Sequence, residues 1–416
     1  MNLNSIVSAL TKKQQNETKS NSTHSIGAIA RMRRLELNMT LEQVSNRICS
    51  VSYLSKVESN KIVPNPVCMA LLMEKMRMPK YEQYLLENEN ELLSESLNYF
   101  YCLDRSSYRM LFEKVEDIKN AIASIIKIGY YILIKEYDEI ETLINETKKL
   151  VGSLSSFSLE VFSLYSALYS IEKCEFENAN NILERLIDQK GDATFMILVK
   201  EAIFKSHIKE SRYIYAEKEY EELIHIYSAN EHFERIREIK ILYMEALYDA
   251  REYKTLTLIG SGPFFTTYYL ENDKFNYLMG KSYIKINHTI AAKEYLDRID
   301  KNSEYFKKCL DEKLIVSYEE NILIQEVEAL NKEKENFYYE YFLLKQADSP
   351  NLKDLFTKDI FAEEIKKSTI REKIDLYRLQ AKALKESFRY KEATAVLEKI
   401  DELLDSFKNY RWVFFI

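Results

Sequence analysis

Apolar residues recur three and four positions apart almost from one end of the chain to the other, a spacing that predicts helices throughout. Between Ile26 and about Met78 the periodic segments are short. They are separated by Asn38-Met39, Ile48-Cys49-Ser50 and the stretch from Asn60 to Pro66, and predict four or five short helices in one small domain. From Tyr81 onward the segments lengthen, with breaks near Gly152, Gly191, Gly260 to Pro263 and Ser349-Pro350. Residues 1–25 are rich in Asn, Ser, Thr, Lys and Gln and hold few apolar groups after Leu10. Such a segment buries too little to offset the entropy of ordering it, so a flexible N-terminal arm is expected. The expected division is an arm over 1–25, a compact domain over 26–80 and a long helical domain over 81–416.

Small residues twelve apart mark repeats in the long domain, because a small side chain in one helix must meet a small one in the next where the two cross. Ala167 is followed by Ala179, Gly280 by Ala292, and Ala381 by Ala393. These units resemble tetratricopeptide repeats. In that pattern an aromatic residue three before the second small position (Phe176, Tyr390) closes the turn, and an apolar residue four beyond it (Leu183, Leu296, Leu397) packs inward. Gly280 lies 113 residues after Ala167, room for about three repeats of the usual size. Degenerate units near Tyr213 to Leu223 and Tyr248 to Leu258 fill that gap, a unit around Tyr137 to Leu150 begins the array, and residues 310–345 hold a weak one. The expected fold class is all-α, an N-terminal helix-turn-helix domain followed by a tetratricopeptide-like α-solenoid.

Composition narrows the function. Seven Gly and five Pro in 416 residues disfavour turn-rich sheet folds and any phosphate cradle built from Gly-rich backbone, which makes a nucleotide enzyme improbable. Cys49, Cys68, Cys102, Cys174 and Cys309 are far apart with no CxxC, so neither a disulfide framework nor a zinc site is expected. His24, His207, His225, His232 and His288 show no metal spacing, and acidic pairs are too common to single any out. No enzyme, cofactor or metal is expected. No apolar run approaches the length of a membrane span and there is no long signal-peptide core, so a cytoplasmic protein is expected. The net charge of -7 hides an asymmetry. Residues 1–80 carry 12 Lys/Arg against 5 acids, whereas the remainder sums to -14. The basic end is where a polyanion would bind.

Within that end, Thr40 is followed three residues later by Gln43, a capping-box pattern that starts a helix and offers its N-terminus to a phosphate. Val44 and Ile48 would form the inner face of that helix, and Val51, Leu54 and Val57 the inner face of the next. Ser52, Tyr53, Ser55, Lys56 and Ser59 would face out, a surface that suits a major groove. The run from Gly27 to about Met78 resembles the DNA-binding domain of the PlcR-type regulators of the RRNPP family. The likeness runs through Thr40, Val44-Ser45, Ile48-Cys49, Ser52, Ser55, Val57-Glu58-Ser59 and Pro64. It implies that Arg34 and Glu58 pair across the first and third helices as a structural ion pair. Arg33, where the family places an apolar residue, and Asn60, where a glycine often ends the third helix, depart from the pattern. Arg33 could snorkel toward DNA phosphates, or the first helix could be locally shifted.

The resemblance further implies a transcription regulator, a homodimer reading an inverted-repeat operator in double-stranded DNA, switched by a short signalling peptide on the concave side of the repeats. Candidate base-reading residues are Ser50, Val51, Ser52 and Tyr53, with Thr40, Lys56, Asn60 and Lys61 on phosphates. Tyr53 could instead pack against its own domain. Positions of the first helix in each repeat that would face the groove are Leu164, Leu168, Lys205, Tyr277, Lys281, Lys285, Arg378 and Lys382, whose cations suit a peptide carboxylate. They could equally be plain solvated surface. The apolar end, Trp412 to Ile416, is expected to cap the last repeat or enter a dimer contact. The alternative function is a repeat scaffold that sequesters a partner signalling protein, as some relatives in this family do, with DNA binding secondary.

Overall fold

The structure, a computed structural model, describes residues 3–15, 26–59, 61–78, 84–85, 88–188, 192–210, 212–268, 270–319, 337–367 and 370–410. Among them every regular element is a helix, so the chain is all-α as the periodicity predicts. The chain divides into two units, Met1–Leu242 and Tyr243–Ile416.

The first unit begins with a departure from expectation. Instead of a loose arm, Asn4–Gln15 forms a helix, α1. Leu3, Ile6 and Leu10 are 0–1% exposed, and the helix packs on α10 (Ser156–Glu172), α11 (Phe176–Ile187) and the 3-10 turn Lys148–Ser153. Lys13 pairs with Glu160. Polar composition misled because three apolar residues at helical spacing suffice once a preformed surface receives them. Residues 16–25 of the expected arm lie outside the described residues.

Next come α2 (Ile26–Glu36), α3 (Leu41–Ser45), α4 (Val51–Glu58) and α5 (Pro66–Lys75), around a core of Ile29, Ala30, Val44, Leu54, Val57, Leu72 and Met76. The Thr40 capping box forms as expected. Its hydroxyl accepts from Gln43 N at 3.1 Å, and the Gln43 side chain accepts from Thr40 N at 2.7 Å. Ser50 caps α4 by accepting from Tyr53 N, and Asn65 caps α5, whose first residue is Pro66. A Cβ on Gly27 would stand 2.3 Å from the Val57 carbonyl oxygen, so only glycine lets α2 lie so close to α4. Val51 corrects the sequence reading of the inner face: it is 43% exposed, whereas Leu54 and Val57 are buried.

The rest of the first unit is built of helix pairs. These are α6 (Glu89–Cys102) with α7 (Arg105–Val115), α8 (Ala121–Ile134) with α9 (Ile140–Thr147), α10 with α11, and α12 (Ala193–Lys209) with α13 (Tyr213–Ala229). A further helix, α14 (Phe233–Asp249), crosses the boundary between units. The second unit continues with α15 (Tyr253–Gly260), α16 (Pro263–Tyr268), α17 (Asp273–Lys285), α18 (Thr289–Asp297) and α19 (Glu304–Glu319). It ends with α20 (Phe337–Gln346), α21 (Leu352–Leu355), α22 (Asp359–Lys367), α23 (Ile370–Glu386) and α24 (Tyr390–Tyr410). The three sequence-marked pairs are α10/α11, α17/α18 and α23/α24, and all six small residues are buried. At Gly280 a Cβ would come within 2.6 Å of Leu296, which is why the smallest residue stands at that crossing. The pair α6/α7, which no sequence signal marked, precedes the expected first repeat. The expected cap Trp412 to Ile416 and part of the weak 310–345 unit lie outside the described residues.

The turns inside the pairs share one conformation without sharing a residue type. Leu103, Lys135, Cys174, Arg251, Asn287 and Phe388 all adopt φ between 56° and 65°. In each case the next backbone N–H reaches back five residues, as from Asp104 to Tyr99, Glu252 to Leu247 and His288 to Tyr283. Glycine usually occupies this position, because an L side chain there costs about 1–2 kcal/mol. Replacing Arg251, an exposed residue, with glycine is therefore expected to raise the urea midpoint of unfolding, with a gain of up to about 1 kcal/mol after the greater chain entropy of glycine is counted. A lower midpoint would contradict this account of the turn.

Candidate nucleic-acid interface and ligand groove

In the small domain Arg34 holds Glu58 with two hydrogen bonds, Nε to Oε1 at 2.6 Å and Nη2 to Oε2 at 2.8 Å, and donates a third to Met39 O. Both side chains are nearly buried, and the hydrogen bond to Glu58 holds the guanidinium pKa above its ordinary value. The pair fixes the C-terminal end of α4 to α2. Arg33 is occupied elsewhere than the sequence suggested. It donates to Met76 O and Arg77 O, both at 3.2 Å, capping the carbonyl end of α5 and pairing with Glu36.

Fixed this way, α4 presents Ser50, Val51, Ser52 and Lys56 to solvent, and Lys61 is exposed just beyond it. Tyr53 is half-buried, and its hydroxyl accepts from Asn65 N at 3.1 Å, tying α4 to the start of α5. Thr40 is exposed, but the backbone N–H groups that the sequence offered to a phosphate are partly consumed by the capping box. Asn60 lies outside the described residues. At the other end of α4, Ser153 of the 3-10 turn donates to the Glu58 backbone carbonyl, and α2 packs on the same turn.

In the repeats of the first unit, Leu168 and Lys205 line one cavity of about 510 Å3, together with Phe100, Leu133, Lys135 and Arg235. Leu164 does not. It is fully buried, because α10 is enclosed by α6, α8, α11 and α12 and buries every side chain from Val161 to Ile171. Lys205 and Arg235 belong to a charge cluster at the cavity lining that the sequence reading missed. Glu201 Oε1 meets both Arg235 Nη1 and Lys205 Nζ at 2.7 Å, and Tyr227 donates its hydroxyl to Oε2. Arg235 also donates to the carbonyls of Phe100 and Tyr101. Burial alone would raise the Glu201 carboxyl, but Arg235, Lys205 and the Tyr227 hydroxyl outweigh it and hold the group at about 2. No sequence signal marked the cluster: Glu201 adjoins Lys200, and Arg235 stands among Glu234, Arg237 and Glu238.

In the second unit Tyr277, Lys281, Lys285 and Arg378 come together, but each cation already meets a carboxylate. Lys281 lies 3.9 Å from Glu312 Oε1 and over the Tyr277 and Tyr248 rings, at 4.9 and 5.1 Å, while Tyr277 donates to the same Glu312 oxygen. Lys285 and Arg378 share Asp375, each at 3.2 Å. Lys382 is exposed. The sequence expectation of unmatched cations is thus corrected, since Lys281 lies near Glu312 of α19 and Lys285 and Arg378 share Asp375 of α23. Burial pushes the Glu312 carboxyl up to about 7 against the pull of Lys281, and no side-chain or backbone group donates to its Oε2. Among the described residues no group of three or more His, Cys, Asp or Glu could hold a metal, and no helix is long and apolar enough to cross a membrane.

Two consequences are measurable. Removing one side of the Arg34 pair leaves a charge in a poorly solvated site, so Arg34→Ala is expected to lower stability by about 3–5 kcal/mol in urea unfolding. Glu312 titrates near 7 when folded against an ordinary 4.5, so the folded chain holds an extra proton between those values, and stability falls as pH rises through that window and levels above it. Glu312→Gln removes the fall. Relative to wild type it is expected to gain up to about 3 kcal/mol on going from pH 4 to pH 8; parallel pH profiles would refute the assignment.

Neither a protein-family model nor a curated protein sequence matches this chain. Among solved structures it is similar to the crystal structure of Bacillus thuringiensis PlcR in complex with the peptide PapR7 and DNA. The identity is 16% and the TM-score 0.28, over 72% of this chain and 99% of that one. A likeness of that degree carries no functional argument, so what the chain does has to be read from its own residues.

Proposed function

We propose that this chain is a cytoplasmic, peptide-gated transcription regulator of the PlcR type in the RRNPP family, acting as a homodimer on an inverted-repeat operator. The helix-turn-helix domain over 26–80 would bind the DNA. Ser50, Val51 and Ser52 would reach base edges from the exposed start of α4, and Lys56 and Lys61 would hold phosphates, with Thr40 and Asn60 beside them. Tyr53 acts through the geometry of α4 and α5, given its bond to Asn65. Residues 26–80 carry nine basic and four acidic side chains, the surplus that phosphate binding needs.

The observation that carries the gating part is the bond from Ser153 to the Glu58 carbonyl. It joins the end of the DNA-facing helix to the turn that leads into α10, so a ligand that repositions the first repeats also moves α4. An extended peptide of about five to ten residues is the fitting ligand for such a groove. For it to change DNA affinity by a factor of 5 to 150, it must bind one arrangement better by roughly 1–3 kcal/mol. Leu168, Lys205, Tyr277, Lys281, Lys285, Arg378 and Lys382 remain the candidate peptide-binding residues. At Lys285 and Arg378 a peptide carboxylate would have to displace Asp375.

The test is a salt titration of DNA binding. Affinity for the selected operator should fall steeply with salt. Lys56→Ala and Lys61→Ala should each flatten the slope by about one unit for every phosphate the variant no longer neutralises, and removal of residues 1–80 should abolish binding. Undiminished operator binding by the truncated chain would refute the assignment.

A further inference from the structure

The cavity of the first unit has a chemistry of its own. At 510 Å3 it falls within the range of small-ligand sites, too small for a whole peptide and large enough for one or two residues. Its floor is apolar, formed by Phe100, Leu133, Leu168 and Ile171. Its wall holds two cations, Lys205 and Arg235, sharing the single carboxylate of Glu201, and Arg235 and Glu201 are only 2% and 3% exposed. Arg235 is enclosed between Glu201 and Glu238, whereas Lys205, 23% exposed, is the cation of the cluster that an incoming anion can reach. Lys135, exposed at the left-handed turn after α8, adds a cation at the rim.

Acids line the cavity too, and their placement orients a ligand. Asp104 is spent on capping α7 through Ser107, Glu172 is paired with Lys209 and Glu234 with Arg237. Glu238 lines the cavity and acts on Arg235, so a carboxylate there meets like charge and is favoured instead at Lys205 and Lys135. An ammonium group at the Lys205 edge would meet like charge.

We propose that this cavity seats the C-terminal residue of a peptide, a large apolar side chain on the floor at Leu168 and its free carboxylate at Lys205, with Lys135 at the mouth. The proposal rests on the reading that the repeats bind a peptide, and deepens it by naming the end that enters and the kind of residue it carries. It also moves the anchor away from Lys281, Lys285 and Arg378, which are paired with Glu312 and Asp375.

The probes are N-acetyl-Leu-Phe as the free acid and as the C-terminal amide, titrated by calorimetry into the full-length chain. The acid is expected to bind about tenfold more tightly than the amide, as loss of one charged hydrogen bond implies. That preference should shrink to about twofold or less in Lys205→Met, which leaves Glu201 paired with Arg235 and Tyr227, and should narrow in Lys135→Met. Leu168→Gln should weaken acid and amide alike. Thermal melting of each variant confirms that it is folded. Equal binding of acid and amide, an undiminished preference in Lys205→Met, or no binding of either probe at millimolar concentration overturns the proposal. Operator binding with peptides extracted from culture medium separates it from the regulator reading. If such peptides shift the DNA affinity of wild type and of Lys205→Met equally, the cavity assignment falls and the regulator stands. If the probes discriminate as expected while no extracted peptide shifts DNA affinity, the carboxylate seat stands and peptide gating falls.

Discussion

No helix pair in the repeats can close a core by itself, and the architecture follows from that constraint. Each pair has one apolar face too many and buries it only against the next, so the chain is driven to stack. Small residues at the crossings, Ala167 on Ala179, Gly280 on Ala292 and Ala381 on Ala393, set how closely the two helices of a pair approach. The left-handed residue after the first helix sets the angle at which the second returns. With spacing and turn fixed, the first helices of successive pairs in the first unit line up along one side, and the cavity among α6, α8, α10, α12 and α14 is a consequence of that alignment.

Three nearly buried carboxylates show how the same side chain is given different electrostatic work. Glu58 meets one arginine in a two-bond fork and serves as a rivet between α2 and α4. Glu201 meets two cations and a tyrosine hydroxyl and is held at about 2. Glu312 has only Lys281, 3.9 Å away, and the Tyr277 hydroxyl, so burial wins and the group titrates near neutrality. The number and distance of the partners, rather than burial alone, separates the three carboxylates.

Helix α4 is not an independent module in this arrangement. Its last carbonyl is held by Ser153, its neighbour α2 rests on the same turn, and α1 packs on that turn and on α10 and α11. A small domain tied at one short turn responds to rearrangement of the first repeats more readily than one hung on a free linker, because a packed junction switches between discrete arrangements instead of deforming smoothly.

The sequence by itself determined the helical class, the three best-marked helix pairs and the Thr40 capping box, since each depends on residues a few positions apart along one or two adjoining helices. The Arg34 to Glu58 pair was legible only through a family resemblance. What the tertiary structure alone decided are pairings across many intervening residues: Arg235 on Glu201, Lys285 on Asp375, Arg33 on the end of α5. It also decided that Leu164 is core while Leu168, one turn later, faces a cavity, because a helix packed against α1, α6, α8, α11 and α12 buries residues on every side and gives no sign of its open one. The left-handed turns were invisible because the backbone hydrogen bond that rewards them is indifferent to the side chain, so six different residues hold one conformation. The docking of α1 was invisible for a related reason: three apolar residues in a polar segment acquire a partner surface only after the repeats have folded to supply it.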